Sequence, residues 1–208
     1  MVRHNNTSII EEIFNAVTHG LGIVLSIVGW LILLNLAGEN KNKIIGFSAF
    51  GIVIIFSYLV STLYHSLSFT KAQKVLRILD HSCIFLLIAG TYTPFMLVAL
   101  KGQFGLTLLT LIWIITIVGI FLKIFYVHKF KKLSLILYIF MGWFAIIGIK
   151  PLLESLSINA IYLLTLGGIL YTSGIIFYSL KQIYFNHAVW HLFVLGGSIC
   201  HFFAMFYL

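Results

Sequence analysis

Seven stretches of mainly apolar residues follow one another along the chain, separated by short polar segments. A helix needs about 20 such residues to cross the hydrocarbon core of a bilayer. The chain therefore predicts an all-α, polytopic membrane protein of seven transmembrane helices, forming a single domain over residues 1–208. The predicted spans are approximately 17–37, 44–66, 79–100, 104–126, 133–149, 158–180 and 188–208.

Proline marks two of these stretches. The third span runs into Pro94, where a kink or a helix end is expected because proline has no amide hydrogen to donate. The fifth span is short and is expected to end at Lys150 and Pro151.

Composition supports the membrane assignment. The 208 residues are 61% hydrophobic and 9% charged, whereas about 25% of the residues in a soluble domain are charged. The net charge of +8 does not indicate nucleic-acid binding, because the basic residues lie in short segments and form no extended stripe. Residues 1–14 contain no apolar core of a cleavable signal peptide, so the first span is expected to direct insertion.

The basic residues predict an orientation. If the spans alternate in direction, the N-terminus shares a side with the segments after spans two, four and six, and this side carries nine basic residues: Arg3, Lys71, Lys74, Arg77, Lys123, Lys129, Lys131, Lys132 and Lys181. The other side carries four: Lys41, Lys43, Lys101 and Lys150. Because lysine and arginine accumulate on the cytoplasmic side, the N-terminus is predicted in the cytoplasm and the C-terminus outside.

Five ionisable residues fall at one predicted depth in the membrane. His65 ends span two, Asp80 opens span three, His187 and His191 open span seven, and His19 lies near the start of span one. Under the alternating topology all five lie near the cytoplasmic face. A charged group at membrane depth costs about 2.5–3.5 kcal/mol on insertion scales, so such a cluster indicates function.

The spacing of the histidines favours a metal site. His187 and His191 are four residues apart, and therefore share one face of a helix. A third imidazole from His65 would complete a three-histidine site with one open position, in which zinc lowers the pKa of a bound water to about 7. Asp80 would orient that water or accept its proton, and the hydroxyl of Ser61, one turn before His65, would hold the water or a substrate carbonyl. Haem is the alternative cofactor, but three imidazoles beside a carboxylate favour zinc.

Other polar residues are assigned structural roles. His201 lies about 15 Å beyond His191 along the helix, too far to bind the same metal, and is expected to line the bundle interior. His19 is expected to form a polar cluster with Glu12 and Asn15 at the cytoplasmic end. His81, His4 and His128 are interpreted as structural or interfacial, and Cys83 and Cys200 as core thiols, since they lie in different spans and form no CxxC pair.

These motifs together resemble a known family. Residues 11–20 (EEIFNAVTHG), the SxxxH stretch ending at His65, Asp80-His81 followed by GTYTP at 90–94, and the HxxxH pair with His201 downstream are similar to the haemolysin III branch of the progestin and adiponectin receptor family. The resemblance covers essentially the whole chain. It implies a multi-pass protein of the bacterial cell membrane with seven helices around a zinc ion. The implied ligands are His65, His187 and His191, with Ser61 and Asp80 as the associated polar pair.

Three classes of function stay open on this basis. Similarity to adiponectin receptors and, more remotely, to alkaline ceramidases implies a zinc-dependent hydrolase of lipid amides. The same fold also suits a regulator or sensor of membrane properties with a structural zinc. The family name implies a pore-forming cytolysin, although no switch from a soluble to an inserted form is visible. Membrane lipids are the expected partners, and nucleic acid is not.

The predicted orientation can be tested with a reporter fused to the C-terminus. A reporter that is active only outside the cytoplasm, such as alkaline phosphatase, is expected to be active in this fusion, because nine basic residues against four hold the N-terminal side in the cytoplasm. Activity of a cytoplasm-only reporter at the same position would contradict the orientation.

Overall fold

The computed structural model describes residues 9–126, 131–180 and 182–208, and this part of the chain is helical and contains no strand. The helices are α1 (Ile9–Ala37), α2 (Lys41–Ser66), α3 (Gln73–Val98), α4 (Gln103–Tyr126), α5 (Lys131–Gly142), α6 (Ile149–Ser155), α7 (Ile158–Ser179) and α8 (Asn186–Ala204). A 3-10 helix, Phe144–Gly148, joins α5 to α6, and a second, Met205–Tyr207, follows α8.

Seven helical segments within the described residues are long and apolar enough to cross a membrane. Helices α1 to α4 and α7 each form one span, α5 and α6 together form the fifth (Leu133–Ser155), and α8 with its 3-10 extension forms the seventh (Asn186–Tyr207). The predicted all-α architecture with seven spans is confirmed.

Several boundaries differ from the predicted ones. Helix α1 begins at Ile9 rather than at 17, and α3 begins at Gln73 rather than at 79. These added turns contain polar residues, so they do not stand out as part of an apolar run. The fifth span continues through Pro151 to Ser155, because this proline lies in the first turn of α6, where its missing amide hydrogen costs nothing. Helix α3 likewise continues past Pro94 to Val98.

On α1, mainly polar and small residues face the interior, and large apolar residues face outward. On α1 the buried positions recur every three or four residues, so they form one face of the helix. Leu21 and Val24 on the opposite face are 60% and 59% exposed, as expected of side chains that meet lipid. The buried face consists of Asn15, His19, Gly22, Ser26, Gly29, Leu33 and Ala37.

Helix α3 lies at the centre of the bundle, with 72% of its most apolar window buried against 50% or less for the other spans. It packs between α2 and α4, while α1 packs against α2 and α8, and α7 against α8. Helices α2 and α3 approach closely at Gly46, where a Cβ atom would lie 2.6 Å from the Cα of Pro94. Short connections make successive spans antiparallel, so α1, α3 and α8 begin, and α2 ends, at one end of the bundle, here named the site end.

Several basic residues assigned to connecting segments lie inside helices. Lys74 and Arg77 belong to the first turns of α3, and Lys123 belongs to α4, where it is only 3% exposed. The ammonium group of Lys123 lies 5.6 Å from the ring centre of Tyr138, within the range of cation–π attraction. The expected loop position of Lys123 is therefore wrong. The side of the membrane that each terminus faces stays a prediction.

Candidate metal centre

Three histidines from two helices converge at the site end. His65 lies in the last turn of α2, and His187 and His191 lie one turn apart at the start of α8. Their ring centroids are 4.9 Å (His65 to His187), 5.0 Å (His65 to His191) and 4.7 Å (His187 to His191) apart. One ligand atom from each lies within 4.8 Å of the other two. The three side chains are thus close enough to share one metal ion.

The orientation of His65 is fixed by a carboxylate on α1. The Nδ1 atom of His65 lies 2.6 Å from Oε2 of Glu12, and the two side chains are 3% and 13% exposed. Because Nδ1–H donates to the carboxylate, Nε2 carries the lone pair. This Nε2 atom is buried and has no hydrogen-bond partner among the described residues. A buried imidazole nitrogen with a free lone pair, held by a carboxylate on its other nitrogen, fits a metal ligand.

The orientation of His191 is fixed by the same helix. Its Nδ1 lies 3.2 Å from the backbone oxygen of Asn15 and 3.2 Å from Oγ1 of Thr18. Since the Thr18 hydroxyl donates to backbone oxygens of its own helix at 2.9 Å, its oxygen accepts the Nδ1–H of His191. The Nε2 lone pair of His191 is then directed away from α1. Helix α1 therefore supplies no ligand but orients two of them.

His19 lies against this site without joining it. Its ring stacks on that of His191 with centroids 3.6 Å apart and an angle of 10° between the planes. Its two ring nitrogens are buried with no hydrogen-bond partner in the part of the chain that the structure describes. The group of mutually close ligand atoms includes His65, His187 and His191 but not His19.

Ser61 and Asp80, the two other predicted site residues, occupy different surroundings. Ser61 lies one turn before His65 on α2 and is 3% exposed, and its hydroxyl has no hydrogen-bond partner within the described segments. Asp80 lies in the second turn of α3, outside the three-histidine group, with Oδ2 3.9 Å from Nδ1 of His81. His81 is tied into the helix packing, since its Nδ1–H donates to the backbone oxygen of Arg77 at 2.7 Å.

The carboxylate of Glu12 lies against the candidate ligand His65. The sequence predicted Glu12 only as part of a polar cluster. A signal for it was present: Glu12, Asn15 and His19 are spaced three and four residues apart, so they share one helix face. The predicted first span begins at 17, so Glu12 and Asn15 fell outside it and were separated from His19. Extending the helix to Ile9 brings all three residues to the site end.

The remaining histidines and the cysteines lie away from the metal centre or outside the described residues. His201 approaches the backbone oxygen of Leu164 on α7 with its Nε2 at 3.2 Å and is absent from the metal-site group. Cys83 is buried, Cys200 is half-buried, and both are free thiols. His4 and His128 lie outside the described residues.

Comparison with known proteins identifies the family of this chain. The profile of the family described as "Haemolysin-III related" matches residues 7–202, a segment that includes every residue of the site. The chain belongs to this family. As a haemolysin III related protein, it is 49% identical to "Hemolysin-3" of Bacillus cereus over 199 residues, which cover 95% of this chain and 91% of the relative. It is also 49% identical to the "Hemolysin-3 homolog" of Bacillus subtilis, with 95% and 93% covered.

A more distant relative places the haemolysin III family in a wider group. The human "Monocyte to macrophage differentiation factor" is 28% identical over 204 residues, covering 94% of this chain and 83% of the relative. This similarity supports membership of the progestin and adiponectin receptor superfamily, as the sequence motifs indicated.

Substitution of a candidate ligand is expected to remove the metal. His191→Ala and His187→Ala should each lose most of the bound metal, because the two remaining imidazoles make a poor tetrahedral site. His201→Ala should retain the wild-type content, since His201 lies outside the group. Elemental analysis of the purified variants measures this. Equal metal loss in all three would show that His201 belongs to the centre.

The contact between Glu12 and His65 generates a second prediction. Glu12→Gln keeps the shape of the side chain but removes the charge that orients His65, so metal affinity should fall by about 10–100-fold, as for other groups that hold ligand histidines. Glu39→Gln makes the same chemical change in the exposed turn between α1 and α2 and should leave affinity unchanged. Titration with zinc in detergent measures both, and equal affinities would show that the contact is irrelevant to the metal.

Proposed function

We propose that this haemolysin III related protein is a zinc-dependent hydrolase that cleaves an amide bond in a membrane lipid. The observation that carries the proposal is the group of three buried or half-buried histidines with ligand atoms within 4.8 Å of one another. Zinc, when bound by His65, His187 and His191, would polarise a carbonyl group and lower the pKa of water.

The donor set favours a catalytic metal over a purely structural one. Imidazole suits zinc and several other transition metals. Structural zinc sites have four protein ligands, whereas catalytic sites have three and keep one position open. Among the described residues, the group contains three histidines and no fourth His, Cys, Asp or Glu.

Asp80 is proposed as the general acid and base. Its carboxylate interacts electrostatically with Tyr64 and Tyr178, whose rings lie 4.8 Å from His65 and 5.5 Å from His187, respectively. These rings pack against two of the candidate ligands, while Asp80 itself lies outside the three-histidine group. A carboxylate in this position accepts a proton from the attacking water and gives it to the amine nitrogen as the carbon–nitrogen bond breaks. The products are a carboxylic acid and an amine.

Ser61 is proposed to hold the substrate carbonyl. Its buried hydroxyl, one turn from His65 and without a partner in the described structure, can donate a hydrogen bond to an oxygen that gains negative charge during attack. The outward faces of the surrounding helices are apolar, which suits a substrate that arrives from the bilayer. The lipid amide class itself is supported by the similarity to receptors and ceramidases of the wider superfamily.

A structural metal in a regulator or sensor of membrane properties is the second candidate. Helix α2 packs against α1 and α3, whereas α8 packs against α7 and α1. A metal held by His65 on α2 and by two histidines on α8 would link these two helices directly. This arrangement favours a metal that stabilises the fold by cross-linking α2 and α8.

Asp80→Asn separates the two candidates. If the site hydrolyses lipid amides, the variant should keep its metal, since Asp80 is not one of the three grouped ligands. Its rate should fall about 10²–10⁴-fold, because asparagine cannot accept the proton. Glu154→Gln, an exposed carboxylate at the far end of the fifth span, should retain full rate. The measurement is fatty-acid release from acyl-amide lipids, including ceramides, by purified zinc-loaded protein in mixed micelles.

If fully zinc-loaded wild-type protein releases no fatty acid, the hydrolase proposal is wrong and a structural role for the metal is favoured. An Asp80→Asn protein with the wild-type rate would show that the proton is transferred by another group.

A further inference from the structure

A cleft opens at the end of the bundle opposite the site end, here named the far end. Its volume is about 460 Å³, within the range of about 300–1,000 Å³ that is typical of ligand pockets. Four parts of the chain meet around it: the α1–α2 turn, the α3–α4 turn, the end of the fifth span and the residues after α8. Its polar lining consists of Asn40, Asn42, Lys43, Lys101, Ser155 and Tyr207.

The cleft lies at the level of lipid headgroups. Lys43 and His65 are both on α2, and the 22 positions between them correspond to about 33 Å along the helix axis. The hydrocarbon core of a bilayer is roughly 30 Å thick. Because His65 marks the site end, Lys43 lies near the opposite surface of the membrane.

The lysines of the cleft are not neutralised by the protein. Lys43 is half-buried and Lys101 is exposed, and neither forms an ion pair with a carboxylate of the described residues. Glu39 and Glu154, the acidic residues of the far end, are exposed and do not line the cleft. Two ammonium groups are therefore available to an anion from the headgroup layer.

Hydrogen bonds hold the walls of the cleft in place. Oδ1 of Asn40 accepts from the amide of Lys43 at 3.1 Å and caps the start of α2. Nδ2 of Asn42 donates to the backbone oxygen of Leu97 at 3.4 Å, which joins the start of α2 to the end of α3. The segments that carry the two lysines are therefore held together by contacts within the protein.

A smaller cavity with a more apolar lining adjoins the cleft. Its volume is about 170 Å³, and it shares Asn42 and Lys101 with the cleft. Its other lining residues are Met96, Leu97, Gly102 and Leu106. Leu106 is 48% exposed, as expected of a side chain that meets lipid. A ligand with an anionic head and an apolar tail matches the cleft and this cavity together.

We propose that the far-end cleft binds the phosphate group of an anionic membrane phospholipid, with Lys43 and Lys101 as the groups that hold the phosphate. Lysine binds phosphate as a compact point charge, and basic pockets between transmembrane helices are known headgroup sites. The second amide hydrogen of Asn42 can donate to a phosphate oxygen. The apolar cavity beside Lys101 favours a lipid over free phosphate.

The headgroup is expected to carry no cation. Among the described residues no acidic side chain lines the cleft, so the ammonium group of a zwitterionic headgroup finds no counter-charge there. Phosphatidylglycerol, whose headgroup carries the phosphate charge and neutral hydroxyls, is therefore preferred to phosphatidylcholine.

The proposal is tested by titrating full-length protein in detergent with soluble dioctanoyl lipids in a calorimeter. Wild type is expected to bind the phosphatidylglycerol saturably and more tightly than the phosphatidylcholine. Lys43→Gln/Lys101→Gln should bind phosphatidylglycerol about 30-fold more weakly, since each lysine near an anionic headgroup contributes about fivefold to affinity. Lys101→Gln alone should lose about fivefold. It changes an exposed side chain, so it serves if the double variant fails to fold.

Lys41→Gln/Lys150→Gln provides the matched control. Both lysines are exposed toward the far end and neither lines the cleft, so this protein has the same net charge as the other double variant. It should bind phosphatidylglycerol as wild type does.

Three results would overturn the proposal. Equal weakening in the two double variants would show that the lysines act only through the general charge of the far end. Equal affinity of wild type for the two lipids would show that the cleft does not select an anionic headgroup. Inorganic phosphate that binds as tightly as phosphatidylglycerol would show that the lipid is not the ligand. No hydrolysis is measured, so each outcome is independent of the proposed function of the metal centre.

Discussion

The exclusion of water from the bilayer is the constraint on which the rest of this structure depends. Every polar group at membrane depth must find a partner inside the protein or bear a large cost. Within each helix, the backbone amide and carbonyl groups hydrogen-bond to one another. Polar side chains lie mainly on the inward faces of the helices. On α1 this produces a continuous stripe from Asn15 to Ala37, while the opposite face of the same helix is apolar. The candidate metal centre lies where such faces meet.

Helix α1 organises the candidate metal centre although it supplies none of the three ligands. Its Glu12 carboxylate and its Asn15 carbonyl each hold the Nδ1 side of a histidine from another helix. The three candidate ligands thus lie on α2 and α8, and α1 orients two of them. Leaving a buried hydrogen-bonding group without its partner costs about 1–3 kcal/mol, so the hydrogen bond between His65 and Glu12 also ties α1 to α2 at this end.

A second group of buried polar side chains lies beside the candidate metal centre. His19 stacks on His191, and its ring lies 4.9 Å from that of Tyr58, whose hydroxyl donates to Ser198 at 2.8 Å. Gly22 on α1 lies beneath the ring of Tyr58. Small residues commonly allow helices to approach in membranes, but here they accommodate polar side chains. The close packing of this bundle therefore serves to enclose chemistry as well as to join helices.

Particular residues show what could be predicted from the sequence. The seven spans follow from the length of the apolar runs, because a bilayer imposes that length on any helix that crosses it. The pairing of His187 with His191 follows from the pitch of the helix, and His65 could be brought to the same layer because short connections make successive spans antiparallel. The match of this layer with a group of close ligand atoms shows that depth is a property the sequence specifies well.

The rotation of each helix about its own axis is not specified in this way. Only the tertiary structure determines which face of a helix meets which neighbour. Glu12 and Asp80 fall at the same end of the bundle, but it is the Glu12 carboxylate that lies 2.6 Å from His65, which the sequence did not predict. Lys123 is buried against Tyr138 rather than placed in a loop. Which face of a helix meets which neighbour depends on side-chain packing between residues far apart in the chain, such as Gly46 with Pro94. The sequence alone therefore indicated the position of each polar residue along its span, because this depends on one helix. The packed bundle determined which residue it contacts, because contacts depend on the relative rotation of two helices.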